Sequence, residues 1–435
     1  MAGLSRRHFL VGGSAAAATG AGAWALSNRD TETALGGLES PEPSTTSSPA
    51  SSTTVAPTTT TTTVAPEVTD RVLVVLQLGG GNDGLNTLVP DRGRYRDTRA
   101  GLSIPEADVV SLGDGVGYGV HPALEPLLPF WESQRLAFVQ GVGFAEQSRS
   151  HFDATDYWWA AQPRGSATTG WLGRWIDEAV DDPDPLTAVA FGSGAPALLG
   201  ERTQSTLVRS PERFQLLSPR ASDQATVVNA FLSMSDPLST DPALARAQLS
   251  IGPSVEAVEA LAAATGSASA GVGSALGAET AVAGLQASAG VIEQNPSNRV
   301  VIVGVNGFDT HANQLATHAG LLADVAEGVV AFFERLEQSG NADRVVLMTT
   351  SEFGRRVAPN GSAGTDHGTA GLQFIVGSEV AGGQVVGDLD LGGLVDGDVP
   401  ITVDTRSYYA AGLSWLGGPV EEILDGASAD DLGLI

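Results

Sequence analysis

Short runs of β-branched and other apolar residues recur along the chain, each ending in glycine or polar residues. They are RVLVVLQL (71–78), RLAFVQG (135–141), TAVAFG (187–192), RVVIVGV (299–305), RVVLMTTS (344–351) and LQFIVG (372–377). Continuous rather than alternating apolarity suits central strands covered on both faces. Helical patterns lie between them. The clearest runs over 313–340, with apolar positions recurring at three and four and Gly340 as its stop. Strand, long helix, strand makes a parallel crossover. The predicted fold class is therefore α/β: a central, mostly parallel sheet with helices on both faces. Residues 210–294 are Ala/Ser/Gly-rich and mostly helical by pattern, which predicts a helical insertion, a candidate cap. No repeat of fixed period is visible.

Two segments at the start depart from this pattern. SRRHFL at 5–10 places paired arginines, Arg6 and Arg7, before an Ala/Gly-rich stretch, and residues 1–27 are expected to be a twin-arginine export signal. Residues 28–69 are Ser/Thr/Pro-rich, with TTTTTT at 58–63, and cannot bury enough apolar surface to fold. They are expected to form a disordered linker, with one α/β domain over 70–435. No later run approaches the roughly 18 apolar residues of a spanning helix. The expected location is outside the cytoplasm: periplasmic, wall-associated or extracellular, with the twin-arginine machinery as export partner and no transmembrane span after signal removal.

Composition narrows the chemistry. The net charge of −27 argues against nucleic acid or an anionic membrane as a partner by bulk attraction. The absence of cysteine excludes disulfides, thiolate metal sites and a cysteine nucleophile. Any metal must use Asp, Glu, His, Asn, hydroxyls or water.

In open α/β sheets ligands gather outside the carboxyl ends of the strands. After the first run comes GGGNDGLNT, with Asn82, Asp83, Asn86 and Thr87. It lacks the spacing of a dinucleotide fingerprint. After the second come Ser148, Arg149, Ser150, His151 and Asp153. After the fourth comes GFDTHANQ, with Asp309 and His311. After the fifth come SEFGRR, with Glu352, Arg355 and Arg356, and GTDHGTAG, with Asp366 and His367. His151, His311 and His367 are three of only six histidines in the chain. His121 and His318 are read as structural, His318 lying on the predicted helix. Each segment alone is as consistent with a turn or a helix cap as with a site. Together they bring several carboxylates and three imidazoles to one sheet edge. Such a donor set suits Zn²⁺, Mn²⁺ or Fe rather than Ca²⁺ alone, and two adjacent cations would suit phosphoryl transfer.

The leader, LQLGGGNDGLNTLVP, SRSHFDATDYW, GFDTHANQ, SEFGRR, GTDHGTAG and VDTRSYYAAGLSWLG, in this order over about 71–417, resemble the bacterial domain-of-unknown-function 1501 family. That family is grouped with the alkaline phosphatase and sulfatase superfamily, which hydrolyses phosphate or sulfate esters at a one- or two-metal site. The resemblance implies an alkaline phosphatase-like fold and divalent metal as cofactor. It implies Ser150 as nucleophile, with Ser148 and Thr87 behind it. It further implies one cation on Asp309, His311 and His367, and a second on Asp83, Glu352 and Ser150. Asn82, His151 and Asp366 are additional donors, and Arg149 or Arg355 would hold the anion. Two departures stand out. Asp309 and His311 are two apart where the superfamily spaces the pair by four, and Phe353 stands where it has a histidine. The expected function is an exported metal-dependent hydrolase acting on an anionic ester or saccharide. The alternative is a catalytically inactive, carbohydrate-associated surface protein on the same fold.

Overall fold

The computed structural model describes residues 70–435 except 91–92, 164, 166, 194, 204, 209–219, 236–239, 266–279 and 429–431. The expected leader and linker lie outside the described residues. The strands are β1 (Val72–Gly79), β2 (Leu88–Pro90), β3 (Val110–Ser111), β4 (Tyr118–Val120), β5 (Leu136–Gly143), β6 (Ala188–Phe191), β7 (Thr206–Val208), β8 (Val300–Asn306), β9 (Val345–Thr350), β10 (Gly371–Gly377), β11 (Gln384–Val386) and β12 (Val403–Asp404). The helices are α1 (Gly84–Thr87), α2 (Gly93–Thr98), α3 (Leu128–Glu132), α4 (His151–Ala160), α5 (Trp171–Ala179), α6 (Gln224–Leu232), α7 (Pro242–Leu249), α8 (Ile251–Thr265), α9 (Ala281–Gln294), α10 (Gln314–Gln338), α11 (Thr405–Leu416) and α12 (Val420–Ile423).

Each predicted apolar run is a strand of one sheet, ordered β11-β5-β10-β9-β1-β8-β6-β7, with β12 also pairing β5. β1 is parallel to β8 and β9, and β6 to β7 and β8; β10 alone runs antiparallel to its neighbours. The carboxyl ends of β1, β5, β8 and β9 therefore lie along one edge. Period-two side-chain alternation divides β1 between two cores. Val72, Val74 and Leu76 pack with Leu285 of α9 and Val325 and Phe332 of α10, whereas Leu73 and Val75 pack with Trp171, Trp175 and Trp415. Helices cover both faces, as the unbroken apolarity of the strands requires. β2, β4 and β3 form a small second sheet.

The helical reading of 210–294 holds for its described parts, with one correction. α9 is no part of a cap: it is buried along its length and packs against α10 and β8 in the core. α10 is long and apolar enough to cross a membrane by length and composition, but here its apolar stripe is the wall of that core. It ends at Gly340, whose φ of 71° is the left-handed stop expected there.

α10 also clamps the turn after β1. His318 is buried, and its Nε2 lies 2.8 Å from Asn82 Oδ1. The Asn82 amide donates to Ser351 Oγ at 2.8 Å, and that hydroxyl donates to the Leu78 carbonyl at 2.8 Å. Burial pushes the His318 pKa from 6.5 down to about 4, against the opposing pull of Asp83, so the native imidazole is neutral. A folded pKa below the unfolded one gives stability that is complete above about pH 6.5 and is lost as pH falls toward 4. Denaturation midpoints of the wild-type chain should fall across that window by more than those of His318→Gln. Parallel curves for the two would show that His318 does not titrate this way.

Candidate metal centre

The edge at which β1, β5, β8 and β9 end is built around one buried cation, Arg355. Its side chain is 0% exposed. Nε donates to the Gly81 carbonyl at 2.7 Å, Nη1 to Thr365 at 2.9 Å, and Nη2 to the carbonyls of Gly80 and Phe308 and to Asp309 Oδ1. The guanidinium thus ties the turn after β1 to the loops carrying Asp309 and His367. Arg355 was expected to hold an anion; its donors are committed to the protein and it has no path to solvent, so it cannot.

Asp309, on the loop after β8, is half exposed and is the point of convergence. Its Oδ1 lies 3.0 Å from His311 Nε2 and 3.1 Å from His367 Nε2. The two imidazole Nε2 atoms are themselves 2.9 Å apart. Asp309 Oδ2 lies 3.5 Å from Nε2 of His151, the first residue of α4. Burial pushes the Asp309 pKa up, but the hydrogen bonds from Arg355 and His367 and the neighbouring charges of Arg355 and His311 together outweigh it and hold the value at about 2, so the carboxylate is charged.

Each imidazole presents its Nδ1 to an acceptor. His367 Nδ1 faces the Arg149 carbonyl at 2.8 Å, His151 Nδ1 faces Glu352 Oε1 at 2.9 Å, and His311 Nδ1 faces Asp366 Oδ1 at 3.5 Å. A carbonyl or carboxylate can only accept, so a proton on Nδ1 satisfies these contacts and would turn the Nε2 lone pair toward Asp309. With that tautomer the imidazole lone pairs and the Asp309 carboxylate face one another, an arrangement that a shared cation would satisfy. The donor set of three nitrogens and one oxygen fits Zn²⁺ or another borderline divalent ion. His151, Asp309 and His367 offer ligand atoms within 4.8 Å of one another, and among the described residues no second such group occurs. Without a cation the same field draws a proton: the Glu352 hydrogen bond raises the pKa of His151 against the cost of burial.

Two expected ligands have other occupations. Asp83 is 1% exposed and paired with Arg99, Nη1 to Oδ2 at 2.6 Å, and it also accepts from Gln314 Nε2. Burial raises its pKa, but the Arg99 charge and hydrogen bond prevail and lower it. Its charge is neutralised inside the protein and it does not join the convergent set. Glu352 Oε1 accepts from the Gly80 amide at 2.8 Å and from His151. It therefore orients the His151 ring; its Oε2 is buried without a partner beside a small cavity lined by Gln77, Trp158 and Trp159. Asn82 Oδ1 is taken by His318 and Thr87. Asp366 orients His311, and His151, read from sequence as an additional donor, belongs to the central set.

Phe353 is the floor of the site. Its ring is 0% exposed and lies 4.4 Å from the His367 ring and 5.0 Å from that of His151, centroid to centroid. A Cβ on Gly81 would meet this ring at 2.4 Å, so only glycine lets the turn pass over it. Ser150 caps α4 with extended backbone; its amide donates to Ser148 Oγ at 3.1 Å, and its own hydroxyl makes no hydrogen bond among the described residues. Arg99, Gln314 and Asp398, all buried polar groups of this edge, were missed from sequence because each lies in a stretch with no pattern of its own.

If Arg355 organises this edge, Arg355→Lys should cost about 2–4 kcal/mol of stability, because one ammonium cannot reach acceptors spread around a guanidinium. Chemical denaturation measures this; an unchanged midpoint would contradict the role.

The family described as "Protein of unknown function (DUF1501)" matches residues 148–426, well over half of the chain. No curated protein matches it. Among solved structures, the chain is similar to the lipoteichoic acid synthase LtaP from Listeria monocytogenes, at 9% identity and a TM-score of 0.32, over 75% of this chain and 68% of that one. It is similar to a protein in the alkaline phosphatase superfamily from Vibrio parahaemolyticus at 9% identity and a TM-score of 0.37, over 84% and 72%. The phosphonate monoester hydrolase SpPMH from Silicibacter pomeroyi gives 11% identity and a TM-score of 0.35, over 83% and 76%. Likenesses this faint carry no argument about activity. The family match is of another order, and it contains His151, Asp309, His311 and His367: the chain belongs to the DUF1501 family.

Proposed function

We propose that the chain is an exported, metal-dependent hydrolase of phosphate or sulfate esters, working with one divalent cation on His151, Asp309, His311 and His367. One observation carries the reading: three imidazole Nε2 atoms turned toward Asp309, with every Nδ1 facing an acceptor. A divalent cation bound there supplies Lewis-acid polarisation of a phosphoryl or sulfuryl oxygen. The protein's own residues do the rest. Glu352, the Arg149 carbonyl and Asp366 fix the tautomers. Phe353 packs against two of the rings and keeps water from beneath them. Ser150, at the start of α4 and next to His151, supplies the attacking oxygen. Its hydroxyl makes no hydrogen bond among the described residues; serine is a weak nucleophile at its free pKa, so its proton would pass to a base at the site and the ester's alcohol would leave as the new bond forms. Arg6 and Arg7 support export by the twin-arginine route, and the Ser/Thr-rich segment supports a spacer outside the cytoplasm.

A second reading is a non-catalytic binding protein on the same fold. The ion pair that locks Asp83 to Arg99 favours it, since the carboxylate after β1 is then withdrawn from chemistry.

Metal analysis of protein recovered from its export host, with a screen of aryl phosphate and sulfate esters, separates the readings. About one cation per chain is expected, lost in Asp309→Ala and His367→Ala. Ser150→Ala should keep the cation and lose more than about 100-fold of the ester turnover. A chain that carries no cation sinks the hydrolase. A chain that carries one and turns over no ester is the binding protein.

A further inference from the structure

The three acceptors behind the imidazoles are not equally firm. His367 Nδ1 faces a main-chain carbonyl, that of Arg149, and His151 Nδ1 faces Glu352, which is buried and also held by the Gly80 amide. His311 Nδ1 faces Asp366 Oδ1 at 3.5 Å, and these two side chains are open to solvent, 43% and 62% exposed. Exposed side chains sample several rotamers unless something fixes them. His311 is also the ligand at the margin of the set. The ligand atoms of His151, Asp309 and His367 lie within 4.8 Å of one another without it. It meets them at Asp309 Oδ1, 3.0 Å from its Nε2, and at His367 Nε2, 2.9 Å away.

Asn360 holds both members of this exposed pair. Its Nδ2 donates to the His311 carbonyl at 2.9 Å and to Asp366 Oδ1 at 3.2 Å, the same oxygen that faces His311 Nδ1. No other hydrogen bond to the Asp366 carboxylate occurs among the described residues. Asn360 Oδ1 accepts from the amides of Ser362 and Gly364 at 2.9 and 3.1 Å. Both donors and both lone pairs of the side-chain amide are thereby used. The loop that it closes lies directly on the His311 backbone. The Asn313 and Gln314 amides donate to the carbonyls of Ser362 and Ala363 at 3.2 and 2.9 Å, and a Cβ on Gly364 would meet the His311 main chain at 2.3 Å.

We propose that Asn360 is a positioning residue that fixes His311 as the fourth protein ligand of the cation. One planar amide holds the His311 main chain with one N–H, and with the other the carboxylate that sets the His311 tautomer. The place of the residue and the direction of its ring are thus tied to a single side chain. Without those two donors His311 loses the acceptor that directs its Nε2 toward Asp309, and the cation rests on His151, Asp309 and His367. The isosteric Asn360→Asp separates this role from loop closure. It keeps the oxygen that takes the Ser362 and Gly364 amides, and turns a second oxygen, with no proton to give, onto the His311 carbonyl and the Asp366 carboxylate. The inference rests on the metal centre proposed above and names the residue that decides whether it has three protein ligands or four.

The test is calorimetric Zn²⁺ titration of the full chain, paired with imidazole nitrogen NMR of the metal-free chain at one fixed pH. In Asn360→Asp the Zn²⁺ affinity should fall about 10- to 100-fold, the usual effect of losing a group that orients a metal-bound histidine. In a His311→Ala background the same substitution should cost less than about 2-fold, because the ligand through which it acts is gone. Asn360→Ala, which removes the donors without adding a charge, should give the same cycle. Equal losses in both backgrounds are the mark of a loop that merely folds less well, and they overturn the proposal. In the metal-free wild type the His311 ring should be protonated at Nδ1, and Asn360→Asp should show a mixture of tautomers. A His311 signal that does not change overturns the positioning role whether or not the chain binds metal. A wild type that takes up no Zn²⁺ but shows the tautomer change loses the hydrolase and keeps the hold of Asn360 on His311. A chain that binds Zn²⁺ equally well with and without the Asn360 amide keeps the metal centre and loses the positioning residue.

Discussion

The Arg355 guanidinium is the constraint on which this sheet edge depends. A buried cation without partners is untenable in a protein interior, so each edge of the group must meet an acceptor. It meets the carbonyls of Gly80, Gly81, Phe308 and Thr365, and Asp309. Those acceptors come from the turn after β1, the loop after β8 and the segment leading to His367. The requirement therefore sets the relative positions of three loops that no regular secondary structure connects. Gly80 fits the same logic: a Cβ there would lie 2.3 Å from the Asp309 amide, so the turn can approach the loop only without a side chain.

Once Asp309 is fixed, the imidazoles follow from what lies behind them. Each Nδ1 finds an acceptor of a different kind: the Glu352 carboxylate, the Arg149 main chain and the exposed Asp366 carboxylate. This is why Glu352 orients the His151 ring instead of facing Asp309 itself. Its Oε1 already serves the Gly80 amide and His151, and its ring partner, not its own oxygen, faces Asp309. Phe353 has a parallel explanation. At the position where a second imidazole was expected, a benzyl ring packs against His151 and His367 and holds them.

The sequence made the frame legible because the frame rests on periodicity. Every unbroken apolar run is a strand with both faces covered, and the stretch ending at Gly340 is the helix α10. The gathering of His151, Asp309, His311 and His367 at one edge follows from the rule that parallel strands deliver their loops to the same side; the strand order was not predicted. Partner choice was not legible. Asp83 reads as a ligand because it follows a strand, yet Arg99, sixteen residues on in DTRAG, takes its charge. Nothing in the spacing of those two residues announces the pair; the fold of the intervening loop does. α9 was misplaced for a related reason. Its Ala, Ser and Gly residues look like an insertion by composition, whereas small side chains are what allow close approach to the core: a Cβ on Gly284 would lie 2.4 Å from Val303 of β8, and one on Gly328 of α10 would lie 2.9 Å from the α9 backbone.

Besides Arg355 and Asp309, the edge contains two further carboxylate–guanidinium assemblies, and they differ in exposure. Arg99 and Asp83 are both fully buried, and Arg99 spends its remaining donors on Asn86 and on the carbonyls of Val357 and Arg356. That assembly is mortar, with no donor left for a ligand. Asp398 is buried in the same way, but its two arginine neighbours, Arg149 in hydrogen-bond contact and Arg356 at 3.6 Å, are part-exposed. The two assemblies are joined through the Arg356 carbonyl, which accepts from Arg99 Nη2 at 3.0 Å. Asp83 thus acts on the open pair at one remove: it fixes Arg99, and Arg99 pins the backbone from which the Arg356 side chain departs. A carboxylate that has left the metal set remains coupled to the same site by that route. Its burial is what makes the coupling stiff, because an unpaired Arg99 would be as untenable in the interior as an unpaired Arg355.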